Sequence, residues 1–218
     1  MVLKLYGLAV ATCTKRVRVV LEELQVPYEL VAIDILKADH KKDDIKEHQP
    51  FGQIPWIDDD GFKLFESRAI CRYIALKYGG IGKLIPDPAD VQKTALFEQA
   101  ASIETSNFDP PVWGLAHEKV FEPFFGRAPN PQNVEAHEKA LEGRLSGYEV
   151  LLSKTRYVAG DELTLIDLFH LSYGALLKVQ GYDYLESEKY PNVARWWKDV
   201  SSRPTWVKVN SVQLEPSA

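Results

Sequence analysis

Hydrophobic and polar positions change rhythm once along this chain. Over residues 1–80, short apolar runs alternate with helical stripes. Residues 2–6 predict a strand that Gly7 breaks. Val17, Val20, Leu21 and Leu24 recur at helical spacing and predict a helix over residues 12–24. Residues 28–33 are rich in β-formers and predict a second strand. A strand–helix–strand order predicts a right-handed crossover and a parallel pair. Residues 34–50 are polar and charged, and suit a loop or a short exposed helix. Residues 54–57 and 62–65 predict two short strands around the turn signal Asp58-Asp59-Asp60-Gly61. A helix follows over residues 66–77, with Ile70, Tyr73 and Ile74 inward and Gly79-Gly80 ending it.

Beyond Pro86-Asp87-Pro88 the rhythm is helical throughout. Helices are expected over residues 91–107, 112–121, 133–152, 164–179 and 193–202. Pro110-Pro111 is expected to kink or break the first of these. The stretch 164–179 is apolar on most sides and so is expected at the centre. The fold class is therefore α/β plus all-α. An α/β domain spans residues 1–80, a linker 81–90, and a helical domain 91–218.

Composition narrows the functions. A hydrophobic fraction of 45% and a charged fraction of 26% suit a globular protein with a core. A net charge of −5 argues against nucleic-acid binding. The start of the chain lacks the pattern of a signal peptide, and no apolar stretch is long enough to span a bilayer. Two cysteines, Cys13 and Cys71, exclude a disulfide framework and suit a reducing, cytoplasmic setting. The five histidines show no zinc-site spacing, so no metal is expected.

The chemistry concentrates in Gln49-Pro50-Phe51-Gly52-Gln53-Ile54-Pro55 and in Leu64-Phe65-Glu66-Ser67-Arg68. Pro55 either is a tolerated edge-strand proline or forms a cis bond that turns the Ile54 backbone outward, to pair with an extended peptide. Ser67 is expected to cap the helix that opens there, with Glu66 complementing its dipole. The same geometry holds a carboxylate at Ser67 and an ammonium at Glu66. A γ-glutamyl group carries both charges on one carbon, which points to glutathione. Lys41, beside His40, could hold the far carboxylate of that peptide, and Gln53 its middle. Trp113, His117 and Phe121 fall on one helical face, as core packing or as the wall of an apolar pocket. Cys13 near Lys15 and Arg16 is either a small buried hydrophobe or a thiol of lowered pKa. Thr164-Leu165-Ile166-Asp167 reads as a structural capping box, with a loss of about 1 kcal/mol if removed.

Together these residues resemble the cytosolic glutathione transferases, closest to the phi class, over essentially the whole chain. The resemblance implies a thioredoxin-like N-terminal domain followed by an all-helical C-terminal domain, a homodimer, and glutathione as co-substrate. It implies that His40 and Lys41 hold the glycyl end. It places Gln53, the Ile54 backbone and cis Pro55 at the cysteinyl part, and Glu66 and Ser67 at the γ-glutamyl end. Phe51 matches a position that docks into the partner subunit. His117 and Phe121 match positions lining the pocket for hydrophobic electrophiles, where the family more often has an aromatic in place of His117.

One departure bears on catalysis. Phi-class members carry a serine just before the first helix that donates to the glutathione sulfur. Here that position is Ala11. Thr12 is the first candidate replacement, through a charge-assisted hydrogen bond. Cys13 is the second, as the thiol of a glutathione-dependent thiol transferase or peroxidase. The third reading is a ligand carrier with little turnover. The stretch Ala11 to Arg18 also resembles the zeta class, but the Phe51 and Glu66 pattern does not.

Overall fold

The structure is a computed structural model and describes residues 2–212. Alternation in β1 (Leu3–Gly7) buries Leu3, Leu5 and Gly7 and turns Lys4 outward. β1 pairs in parallel with β2 (Tyr28–Ala32), Leu3 facing Tyr28, and α1 (Thr12–Glu23) makes the crossover. On its other side β1 pairs antiparallel with β3 (Trp56–Asp59), and β3 with β4 (Phe62–Phe65). The strand order is β2-β1-β3-β4. Asp60 and Gly61, at φ 56° and 87°, form the two-residue hairpin turn whose left-handed backbone favours glycine. β3 begins two residues later than the sequence predicts. Pro55 has no N–H to give a ladder, so pairing starts at Trp56.

Two short exposed turns, at Asp39–Lys41 and α2 (Asp43–Lys46), lie in the polar stretch. α3 (Ser67–Lys77) packs on α1 and buries Ile70, Cys71, Ile74 and Ala75. Tyr73, expected inside, sits at the edge, where its hydroxyl donates to Asp59 at 2.7 Å. The Asp59 carboxylate, 3% exposed, also accepts from Lys77 Nζ at 2.7 Å and the Tyr78 hydroxyl at 2.8 Å. Burial pushes this carboxyl up. The bonds from Lys77, Tyr73 and Tyr78 outweigh it, and the net shift is downward. A lowered folded-state pKa contributes stability above the ordinary carboxylate range and loses it as pH falls through the folded value. Asp59→Asn is therefore expected to flatten the loss of stability below about pH 4. Urea unfolding across an acid series checks this; an unchanged slope would show that Asp59 gives no such linkage.

In the second half, α4 (Val91–Ile103) passes through a π-helical turn (Glu104–Phe108) into α5 (Asp109–Ala116). A second π turn (His117–Phe121) leads to α6 (Glu122–Phe124). Pro110-Pro111 thus does not break the helix. The prolines occupy the first turn of α5, where their missing N–H groups and fixed φ are tolerated, and the wider π turn precedes them. α7 (Pro131–Leu152) starts on Asn130, whose side chain accepts from Gln132 N and Asn133 N. α8 (Leu165–Val179) is almost wholly buried, as its composition predicts, and α9 (Pro191–Ser201) lays Trp196 and Trp197 inward. The Thr164–Asp167 capping box forms.

α10 (Pro204–Asn210) was not legible as a helix in the sequence. It packs on α1, with Lys208 Nζ 2.7 Å from Glu22 and Thr205 donating to Glu23. The chain accordingly forms two compact units, residues 2–85 with 204–212, and residues 86–203. The sequence assigned residues 204–212 to the helical domain; their packing on α1 groups them with the first unit. No helix among the described residues is long and apolar enough to cross a membrane.

Candidate functional site

Within the first unit, the loop into β3 is tied to the turn at His40-Lys41. The Gln49 side chain, 2% exposed, accepts the Gln53 N–H at 3.1 Å, and Gly52 N donates to Gln49 O at 2.9 Å. Gly52 has φ +57° and lies so close to the turn that a Cβ would sit 2.9 Å from Lys41 Cδ and 3.0 Å from His40 O. Only glycine suits both conditions. Lys41 Nζ donates to Gly52 O at 2.7 Å and reaches Phe51 O at 3.5 Å. An ammonium has three donors, so Lys41 keeps one for a ligand. His40 Nδ1 is buried without a partner, and burial, then the Lys41 charge, lowers its pKa. His40 is therefore a neutral group beside the lysine.

The Ile54–Pro55 bond is cis. Among the described residues, no hydrogen bond engages the Ile54 N–H or C=O, and Ile54 is half-buried. The β3–β4 register pairs Trp56 with Phe65 and so brings Pro55 next to Glu66. Glu66 has φ 70° and ψ 107°, an unusual conformation for a non-glycine residue, and its side chain is exposed.

Ser67 does not cap α3. Glu66 is the N-cap residue, and Ser67 stands one position further in, beyond reach of the amides a cap serves. The Ser67 hydroxyl instead accepts from Arg16 Nη1 at 3.0 Å. The opening turn of α3 has no side-chain cap, and its first intrahelical bond is Ile70 N to Glu66 O. Such a turn presents amides and a positive dipole end.

α1 opens in the same way. Ala11 is its N-cap residue and supplies no side-chain bond, and the first turn holds no acidic residue. Thr12 and Cys13 follow as half-buried residues. Arg16 Nη1 lies 3.6 Å from Cys13 Sγ. Lys15, which the sequence places near Cys13, directs its ammonium to Asn210 Oδ1 at 2.9 Å.

Within the second unit, Trp113 is 45% exposed and its ring lies 5.1 Å from that of His117. His117 Nε2 is 3.4 Å from Glu122 Oε1, and Glu122 accepts from Arg127. Phe121 ends the π turn. Trp113 and His117 meet, and Phe121 makes no ring contact with either among the described residues.

Sequence reasoning missed the bridge that Arg16 makes to Ser67 and the buried role of Gln49. The sequence places Arg16 near Cys13 but carries no signal for its bond to Ser67.

Known proteins match both halves. The glutathione S-transferase N-terminal domain matches residues 1–76, and the C-terminal domain of the same family matches residues 112–204. The chain is 44% identical over 196 residues to glutathione S-transferase PM239X14 of Arabidopsis thaliana, covering 89% of each. The crystal structure of glutathione transferase F7 from Populus trichocarpa aligns at a TM-score of 0.89 with 37% identity, covering 95% of this chain and 97% of that one. Glutathione S-transferase I from maize, in complex with an atrazine glutathione conjugate, aligns at 0.86 with 30% identity and covers 97% of each chain. The chain belongs to the glutathione S-transferase family. Its fold is that of the family, a four-stranded thioredoxin-like N-terminal part and a helical C-terminal part. Its relatives place it in the phi class.

Proposed function

We propose that this chain conjugates the sulfur of glutathione to hydrophobic electrophiles. The observation that carries the reading is the set of open groups around cis Pro55. These are the unpaired Ile54 backbone, the uncapped start of α3 at Ser67, and the Glu66 carboxylate beside it. A peptide bound there pairs its backbone with Ile54, its α-carboxylate with Ser67 and its ammonium with Glu66. His40, Lys41 and Gln53 take its glycyl and central parts. Trp113, His117 and Phe121 line the electrophile pocket in the helical segment that follows residue 90, a linker from 81 to 90 joining it to the glutathione-binding domain. The protein works as a cytoplasmic homodimer, with Phe51, 66% exposed, docking into the partner.

Thr12 supplies the hydroxyl that Ala11 lacks. It stands at the first position of α1, where its hydroxyl is not used as a cap. A free thiol ionises near pH 8.5, so a drop of about two units makes bound glutathione mostly thiolate and corresponds to about 2.7 kcal/mol. One charge-assisted bond and a helix terminus supply roughly that amount. Titrating bound glutathione by the ultraviolet absorbance of its thiolate tests the reading. A depressed pKa that rises again in Thr12→Val supports it; binding with an unshifted thiol removes it. The 3.6 Å approach of Arg16 to Cys13 favours one second reading, thiol–disulfide exchange through Cys13. That reading requires Cys13→Ser to abolish reduction of glutathione mixed disulfides.

A further inference from the structure

Arg16 is the least exposed cation of the first unit's described residues, at 1%. It sits one turn into α1, three residues after Cys13 and four after Thr12. A single nitrogen, Nη1, lies 3.0 Å from Ser67 Oγ and 3.6 Å from Cys13 Sγ. Its backbone is fixed as well. The Cys71 thiol donates to Arg16 O at 3.6 Å, and burial pushes that thiol up to about 12, so it stays protonated and remains a donor. Ser67 and Cys71 are four residues apart on α3, so one face of α3 holds both ends of the same arginine.

The direction of the bond to Ser67 has a chemical consequence. A guanidinium only donates, so the Ser67 oxygen accepts. With a lone pair engaged by Arg16, the hydroxyl proton is not directed at Arg16 and is left for another acceptor. Ser67 is thereby set as a donor to an anion, polarised by the charge behind it. The same charge stands beside Cys13 at the start of α1, where Ala11 offers no hydroxyl.

We propose that Arg16 is a positioning residue for both ends of bound glutathione: it orients the Ser67 hydroxyl towards the γ-glutamyl carboxylate and places a buried positive charge beside the sulfur site at the start of α1. This rests on the glutathione reading above and deepens it. A positive charge within about 4–6 Å favours the ionised form of a group by one unit or more. A charge-assisted hydrogen bond lost from a carboxylate weakens its binding by about ten-fold or more.

The full-length chain and three variants separate the two tasks: Ser67→Ala, Arg16→Gln and Arg16→Lys. The readouts are the KM for glutathione and the pKa of its bound thiol, with thermal unfolding recorded alongside. Ser67→Ala is expected to raise KM about ten-fold and leave the thiol pKa in place. Arg16→Gln is expected to raise KM similarly and also raise the thiol pKa by about one unit. Arg16→Lys keeps the charge but not the geometry of the fork, so it is expected to return the thiol pKa while KM stays high. A folded Arg16→Gln protein with both readouts unchanged overturns the proposal. Should Arg16→Gln fail to fold, Arg16→Lys decides it: a raised KM supports the role and an unchanged KM overturns it. A wild-type chain that binds no glutathione would instead sink the underlying reading, before any variant is compared.

Discussion

Asp167→Ala is expected to destabilise the helical unit by about 4 kcal/mol, well beyond the loss of one helix cap. Asp167 is fully buried at the start of α8. Its Oδ1 accepts from Val158 N at 3.0 Å and from Trp196 Nε1 at 2.9 Å. Its Oδ2 accepts from Thr164 N at 2.8 Å and the Thr164 hydroxyl at 3.2 Å. Burial pushes the carboxyl up, against the bonds from Val158, Thr164 and Trp196 that favour its charge. One side chain thus joins the strap at 157–158, the start of α8 and the centre of α9. Removing it leaves donors buried without an acceptor, at about 1–3 kcal/mol for each one left unsatisfied. Asp167→Asn keeps one oxygen but turns an amide towards Thr164, and is expected to cost about half as much. Urea unfolding followed by tryptophan fluorescence measures both, since Trp196 touches the site. A loss near 1 kcal/mol in Asp167→Ala would show that only the cap matters.

Ala11→Ser is expected to improve two properties at once. Ala11 has the extended backbone of an N-cap residue, φ −66° and ψ 135°, without a side chain to use it. A serine oxygen there accepts from an amide of the first turn of α1, adding about 1 kcal/mol of stability. Its proton then remains available for the glutathione sulfur. The thiol pKa is expected to fall by a further unit, with kcat/KM up by about ten-fold where ionisation limits the rate. The double variant with Thr12→Val separates the hydroxyls. If Ala11→Ser stabilises the protein but leaves the thiol unchanged, position 11 acts on the helix alone and Thr12 already saturates the activation.

Much of the first unit was legible because its signals are local. Asp60-Gly61 demands a hairpin, and residues 2–6 and 28–33 alternate or favour β; in the second unit Thr164 with Asp167 likewise writes its own cap. The cis bond at Pro55 came from a motif, not from periodicity. What failed depended on position by single residues. Ser67 looks like a cap until Glu66 takes that place, and the hydroxyl is then claimed by Arg16, 51 residues away in the chain. The π turns at Glu104–Phe108 and His117–Phe121 each insert a residue into a winding that pattern reading assumes to be uniform. The first of these turns reconciles Pro110-Pro111 with a continuous helix. α10 has only one short apolar stripe, and its helix is supported by contacts with α1.

The two cysteines differ in a way that gives the protein a built-in gauge. Cys71 is wholly buried beneath α1, with its proton held by burial, whereas solvent reaches Cys13. To an alkylating reagent the native chain is therefore a one-thiol protein. It becomes a two-thiol protein only when α1 and α3 part, so the second equivalent of label counts openings of the contact that holds Arg16 in place.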